Sequence, residues 1–212
     1  MILVMPSTVP AVGNDVAARI ALQTLSRRGS AYAGEVRRLL DAALDLMRRG
    51  GTTSRPRVAD IVAEAGLSND AFYRHFPSKD ALVAAILEDG TERLLSYLAH
   101  QMAKEPAPEG KVRRWVQGVL AQAADEDIAT TTLAVLWNAG SVGQGLPSAS
   151  RPLGALLRDP FAALGSAAPD ADATFVAHAV VGVMSDHLWG RSCPSRAEID
   201  HMTDLCLAVA RA

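Results

Sequence analysis

The stretch Arg57-Val-Ala-Asp-Ile-Val-Ala-Glu-Ala-Gly-Leu-Ser-Asn-Asp-Ala-Phe-Tyr-Arg-His-Phe-Pro-Ser-Lys-Asp-Ala-Leu82 decides the fold. Val58, Ile61, Val62 and Ala65 recur on one helical face, with Pro56 near the first helical position and Gly66 just past the last, so the spacing predicts a short helix that stops at the glycine. Ser68 is placed to cap a second short helix starting at Asn69, its hydroxyl accepting an orphan backbone N–H, and Phe72 and Phe76 share a face at i,i+4. Pro77 ends that helix, because its ring disfavours helical geometry at Phe76 and removes a donor. Two short helices joined by Ala65-Gly66-Leu67-Ser68 make a helix-turn-helix pattern: Gly66 takes the left-handed conformation, Leu67 plugs the gap, and the second helix is shaped to enter a DNA major groove.

Helices continue on both sides. Upstream, Val36, Leu39, Leu40, Ala43, Leu44 and Met47 form one apolar stripe over residues 31–49, ended by Gly50 and Gly51. Downstream, Ser78 can cap a helix through Leu82, Ile86, Leu94 and Leu98, with Gly90 as a candidate kink or hinge. The pattern then gives helices over 111–124 and 127–139, a loop over 141–152, a helix over 153–164 interrupted at Pro160, and a final pair over 171–189 and 195–211. The 171–189 helix is apolar on nearly every side, which requires burial on more than one face. A helix over 14–28 is compatible with the sequence, behind a mobile arm over 1–13.

The expected fold is therefore all-α: an N-terminal arm (1–30), a three-helix helix-turn-helix head (31–77), a connecting helix (78–102) and a larger C-terminal helical body (103–212). Composition agrees. With 49% hydrophobic against 21% charged residues and a net charge of −2, the 212-residue chain has enough apolar surface to fold rather than stay disordered. No apolar run approaches the roughly 20 residues of a bilayer helix, and Met1 to Met5 lacks a basic leader, so a soluble cytoplasmic protein is expected. Cys193 and Cys206 are too few for a disulfide framework. The charge is unevenly placed: residues 1–57 hold nine arginines against four acidic residues, a balance of +5, and residues 58–212 balance at −7. The N-terminal end suits a polyanion, although Arg37, Arg38, Arg48 and Arg49 could equally form an ordinary solvated helix face.

The run Phe72-Tyr73-Arg74-His75-Phe76-Pro77-Ser78-Lys79, with the segment quoted above, resembles the DNA-binding segment of the tetracycline-repressor (TetR) family of bacterial transcriptional regulators. The likeness covers residues 31–87, and beyond them only helix count and spacing extend it. The family pattern usually has Gly-Thr where this chain has Asp70-Ala71, and Thr or Ser where it has Arg57; these departures lie at or near the reading surface and bear on the operator sequence.

The resemblance implies that Tyr73, His75 and Lys79 lie against phosphate and that Ser68, Asn69, Asp70, Ala71 and Arg74 lie near base edges or the groove wall, with Arg57 beside them. Chemistry agrees: Lys79 is a point charge at a helix start, and Asn69 can pair bidentately with adenine. Asp70 suits the positive end of the helix dipole better than a base. The resemblance further implies a homodimer on a pseudo-palindromic double-stranded DNA operator, a repressor released by a small apolar effector, and no cofactor. The body residues that fit an oily effector pocket are Trp115, Leu133, Trp137, Phe161, Phe175 and Met184, with Thr132, Asn138 and His178 as polar groups. The last two helices are the expected dimer interface, through Val180, Val183, His187, Ile199, Met202, Cys206 and Val209.

Enzymatic readings are weaker. His178 and His187 stand nine residues apart, no metal-ligand spacing such as His-x-x-x-His or Cys-x-x-Cys occurs, and Gly140-Ser141-Val142-Gly143-Gln144-Gly145 lacks the lysine of a phosphate loop, so neither catalysis nor a metal is expected. The competing class is an effector-free or protein-docking helical module. Salt separates the two, because phosphate-mediated binding weakens steeply with ionic strength.

Overall fold

The computed structural model describes residues 16–140 and 149–211, with side chains from residue 29 onward; the expected arm over 1–13 and most of the expected 141–152 loop lie outside them. Every regular element among the described residues is a helix: α1 (Val16–Gly50), α2 (Val58–Ala65), α3 (Asn69–His75), α4 (Lys79–Ala103), α5 (Pro108–Ala124), α6 (Glu126–Ala139), α7 (Ser150–Ala155), α8 (Arg158–Leu164), α9 (Pro169–Gly190) and α10 (Arg196–Val209). None of them is long and apolar enough to cross a membrane.

The local punctuation works as its chemistry requires. Gly66 takes φ 63°, its N–H donates to the Ala63 carbonyl and that of Leu67 to the Val62 carbonyl, which closes α2 in a Schellman motif. Ser68 Oγ accepts from the Ala71 N–H at 3.1 Å and Ser78 Oγ from the Ala81 N–H at 3.1 Å, so α3 and α4 each start on a side-chain cap. Phe76 is extended ahead of Pro77.

Two boundaries depart from the sequence reading. The upstream segments 14–28 and 31–49 form one 35-residue helix, because extending an existing helix through Gly29 and Gly34 costs only about 1 kcal/mol per glycine and avoids a second nucleation. In the 153–164 region the break falls at Leu156 and Leu157, between α7 and α8, and not at Pro160. Pro160 is the third residue of α8, where a missing N–H leaves no helical hydrogen bond unmade.

Two apolar clusters hold the chain together. The body cluster is built around α5, whose Val112, Trp115, Val116, Val119 and Leu120 are fully buried against α4, α9, α10 and α8. Trp115 Nε1 donates to the Leu153 carbonyl at 2.9 Å, satisfying the one polar atom of a buried ring. Gly118 lets α4 and α5 approach closely, since a Cβ there would collide with Leu98. The head cluster joins Leu39, Ala43 and Met47 of α1, Ile61 of α2, Phe72 of α3, and Leu82, Val83 and Ile86 of α4; it is completed by Ala134, Val135 and Ala139 of α6. The head is therefore not a self-contained three-helix unit: a body helix closes its core. Helix α4 spans both clusters, burying Leu82, Val83 and Ile86 in the head and Leu98 and Met102 in the body, over a length of roughly 37 Å. It stays helical through Gly90.

Candidate nucleic-acid interface and the cavity behind it

Helix α3 has seven residues and two unlike faces. Ala71 and Phe72 are buried in the head, whereas Asn69, Asp70, Tyr73 and Arg74 are exposed, Tyr73 with 59% of its surface free. The Tyr73 ring is fixed edge-on against Phe72 at 5.2 Å between centroids, so its hydroxyl is held outward on a packed ring. Lys79 stands half-buried at the first residue of α4, next to this face. Two expected reader positions are placed differently. Ala71 points its methyl into the core, where it cannot reach a base edge. The His75 side chain is wholly buried, with Nε2 2.7 Å from Glu35 Oε2 and its ring edge-on to Tyr32 at 4.3 Å. It ties α3 to α1 and does not face phosphate, because a seven-residue helix turns its last position back toward the core.

Glu35 is the residue that the sequence reading missed here. It is the sole acidic residue between Asp15 and Asp41, among arginines. The hydrogen bond from His75 holds its carboxyl below the usual carboxylate range, opposed by burial and helped by Arg74, 3.7 Å away. Arg57 makes a two-pronged contact with Asp60, Nε to Oδ2 at 3.0 Å and Nη2 to Oδ1 at 3.0 Å, while Asp60 also accepts from the Arg57 N–H. The pair closes the start of α2 and leaves the guanidinium largely exposed. The same contact raises the Arg57 pKa and lowers that of Asp60.

Polar ties cross from head to body: Arg48 pairs with Asp127 at 2.9 Å, the Arg55 guanidinium lies 4.6 Å over the Trp137 ring, and Arg191 donates to Thr52 Oγ1 at 3.1 Å, while Arg37 pairs with Asp89 of the connecting helix at 3.1 Å. Behind the head a cavity of about 740 Å³ opens between α1, α4, α5, α6 and α9, lined by Leu40 and Leu44 of the head and by Leu94, Tyr97, Val135 and Met184, with Thr91, Thr131 and Thr132 as neutral polar groups and Asp41, Arg48, Asp89, Arg93 and Asp127 as charged ones. Of the expected effector-pocket residues, Thr132 and Met184 line it. Trp115 and Phe161 fill solid core, Asn138 donates to the Ala134 carbonyl at 2.9 Å, Trp137 sits under Arg55, and Leu133 faces a different cleft. Phe175 and His178 are on the outside of α9.

The last two helices place the expected interface residues in a similarly mixed way. Val180 and Cys206 are in the body's own core, where burial pushes the Cys206 thiol up to about 12. Val183, Ile199, Met202 and Val209 are half-buried at its margin. His187 bonds Ser192 Oγ through Nδ1 at 2.8 Å and Glu198 Oε1 through Nε2 at 3.0 Å, and so closes the α9–α10 turn. The outward apolar side chains are Phe175 (66% exposed), Trp189 (52%) and Leu205 (48%). Phe175, Ala179, Gly182, Asp186 and Trp189 follow one another at alternating spacings of four and three, a single stripe along α9. A helix that is apolar all round carries no mark of which side faces its own body, and of the residues expected at the interface Val180 and Cys206 lie in that body's core.

Among the described residues no group of His, Cys, Asp and Glu side chains is arranged to hold a metal. Residues 39–86 match the family described as bacterial regulatory proteins, tetR family. No curated protein matches the chain. The fold is similar to that of a putative TetR-family transcriptional regulator from Mesorhizobium loti, with TM-score 0.61 at 17% identity over 84% of this chain and 96% of that one. It is similar also to the fatty acid degradation regulator FadR from Bacillus halodurans (TM-score 0.57, 17% identity, 82% and 94% covered) and to a TetR-family transcriptional regulator from Agrobacterium tumefaciens (TM-score 0.51, 22% identity, 84% and 97% covered). The head thus matches the model of the tetR family of bacterial regulatory proteins over residues 39–86, and the chain as a whole shares the helical fold of these solved structures.

Proposed function

We propose that the chain is a homodimeric DNA-binding transcriptional repressor, read into the major groove by α3 and released from a pseudo-palindromic operator by a small apolar ligand. The observation that carries the reading is the two-faced α3: Phe72 anchors it in the head while Asn69, Asp70, Tyr73 and Arg74 are exposed, Arg74 with Glu35 3.7 Å from its guanidinium. Asn69 and Arg74 are the base readers, Tyr73 and Lys79 the phosphate contacts, and Ser68 and Asp70 serve the start of the helix. Arg57 lies at the edge of this surface, oriented by Asp60. Ala71 and His75 act through position, not contact.

The dimer pairs α9 and α10 with their copies through Phe175, Trp189 and Leu205, which one chain leaves in water. The effector occupies the 740 Å³ cavity, whose walls belong to both head and body. An occupant there prefers one setting of α1 against α4 and α6, and a preference of a few kcal/mol is enough to shift the population of DNA-competent dimers. The test is selection of bound fragments from random duplex DNA by the purified protein, followed by a screen of neutral apolar molecules for release of the selected site.

A further inference from the structure

A second cleft, of about 530 Å³, lies between the α1–α2 turn, α6 and the turn after α9. Its floor is apolar, with Leu133, Ala134 and Leu188, and its walls bring three guanidinium groups, Arg48, Arg49 and Arg191, against one carboxylate, Glu126. Two of the arginines are committed: Arg48 to Asp127 at 2.9 Å and Arg49 to Glu64 at 3.0 Å, and neither of those acids lines the cleft. Arg191 differs. Its side-chain partner among the described residues is a neutral hydroxyl, Thr52 Oγ1 at 3.1 Å, and no carboxylate lies within ion-pair distance of it. That bond uses one of five guanidinium N–H donors and fixes the group at the cleft wall.

We propose that this cleft binds a small organic carboxylate with an apolar body, the carboxylate held by Arg191 and the body lying on Leu133 and Leu188. A guanidinium fork matches a carboxylate bidentately. A neutral apolar guest would bury the Arg191 charge without a counter-charge, and a bare inorganic anion would leave unfilled the part of the cleft that lies over the edges of Leu133, Ala134 and Leu188, side chains at most 9% exposed. The guest would touch the head at Thr52 and Thr53, α6 at Leu133, and the end of α9 at Leu188 and Arg191; the head and α6 already share an apolar core, whereas the head meets the end of α9 through the Arg191–Thr52 hydrogen bond. It would therefore brace the head against the body. The binding itself is independent of the proposed function; its effect on DNA affinity rests on that reading.

The experiment is isothermal titration calorimetry of the full chain with sodium benzoate, benzamide and inorganic phosphate, repeated on Arg191→Gln, Thr52→Val and Leu133→Trp, each checked for a native helical spectrum and melting transition. Benzoate is expected to bind the unaltered protein, with benzamide and phosphate about tenfold weaker or more. Arg191→Gln should lose about tenfold or more in benzoate affinity and Thr52→Val a few-fold, and Leu133→Trp should abolish binding by filling the floor. Thr52→Val leaves the backbone at Arg191 unaltered, so the assignment stays testable if Arg191→Gln does not fold. Absence of benzoate binding, equal affinity in the variants that fold, or benzamide or phosphate matching benzoate would overturn the proposal. DNA binding is measured separately: a protein that takes benzoate and selects no DNA keeps this site and loses the proposed function.

Discussion

His75 Nε2 lies 2.7 Å from Glu35 Oε2, and this bond, with the Tyr32 ring against His75, ties the last turn of α3 to α1. The ring is wholly buried and its Nδ1 has no partner among the described residues, where Glu35 supplies its polar contact. Removing the ring by His75→Ala should cost about 2 to 4 kcal/mol, the lost bond together with the cavity it leaves, read by urea unfolding.

The same pair sets a pH dependence. The Glu35 carboxyl is held below its ordinary value of 4.5, first by the hydrogen bond from His75, against burial. A depressed folded value means that the contribution is fully present above about pH 4.5 and is lost as the pH falls through the lower folded value. Glu35→Gln should therefore flatten the acid side of the stability profile below the ordinary carboxylate value; an unaltered acid limb would show that Glu35 does not carry it.

Much of this was legible in the residues themselves. The glycine at 66, the serines at 68 and 78 and the proline at 77 act within one turn of chain, and so the order and ends of α2, α3 and α4 follow from local chemistry. What could not be read was long-range. Ala134, Val135 and Ala139 complete the head core from a helix some 50 residues downstream of Ile86, and nothing in their spacing says so. Glu35 and His75 meet across 40 residues of sequence. In α9, apolar residues on every side conceal which face turns outward, and only packing separates buried Val180 from exposed Phe175.

Close packing in the body gives a sharper stability prediction. A Cβ at Gly118 would collide with Leu98, itself fully buried between α4 and α5, so neither side chain has room to move away. Gly118→Val should destabilise by about 1 to 3 kcal/mol despite the better helix propensity of the new residue, and a raised melting temperature would refute the close approach.

The outer stripe of α9 and α10 predicts the assembly state. Phe175→Glu combined with Trp189→Glu places two charges where 66% and 52% exposed apolar residues stand in the single chain. Sedimentation should show a dimer for the unaltered protein and a folded monomer for the double variant. A monomer in both cases would remove the interface.

The head predicts a division between general and specific DNA contacts. Lys79→Ala should weaken binding to all duplexes alike and lower the salt slope by about one. Asn69→Ala should cost about 1 to 3 kcal/mol on the selected site and relax preference at one position, while His75 variants should act through folding of the head.

Selection of bound fragments from a random duplex library, with the half-site spacing read from the enriched sequences, bears most directly on whether α3 reads DNA. The account predicts a two-fold repeated motif with half-site centres spaced for successive major grooves, and loss of enrichment when Arg74 and Asn69 are both replaced by alanine. Enrichment of no motif, or of the same motif by the double variant, would contradict it.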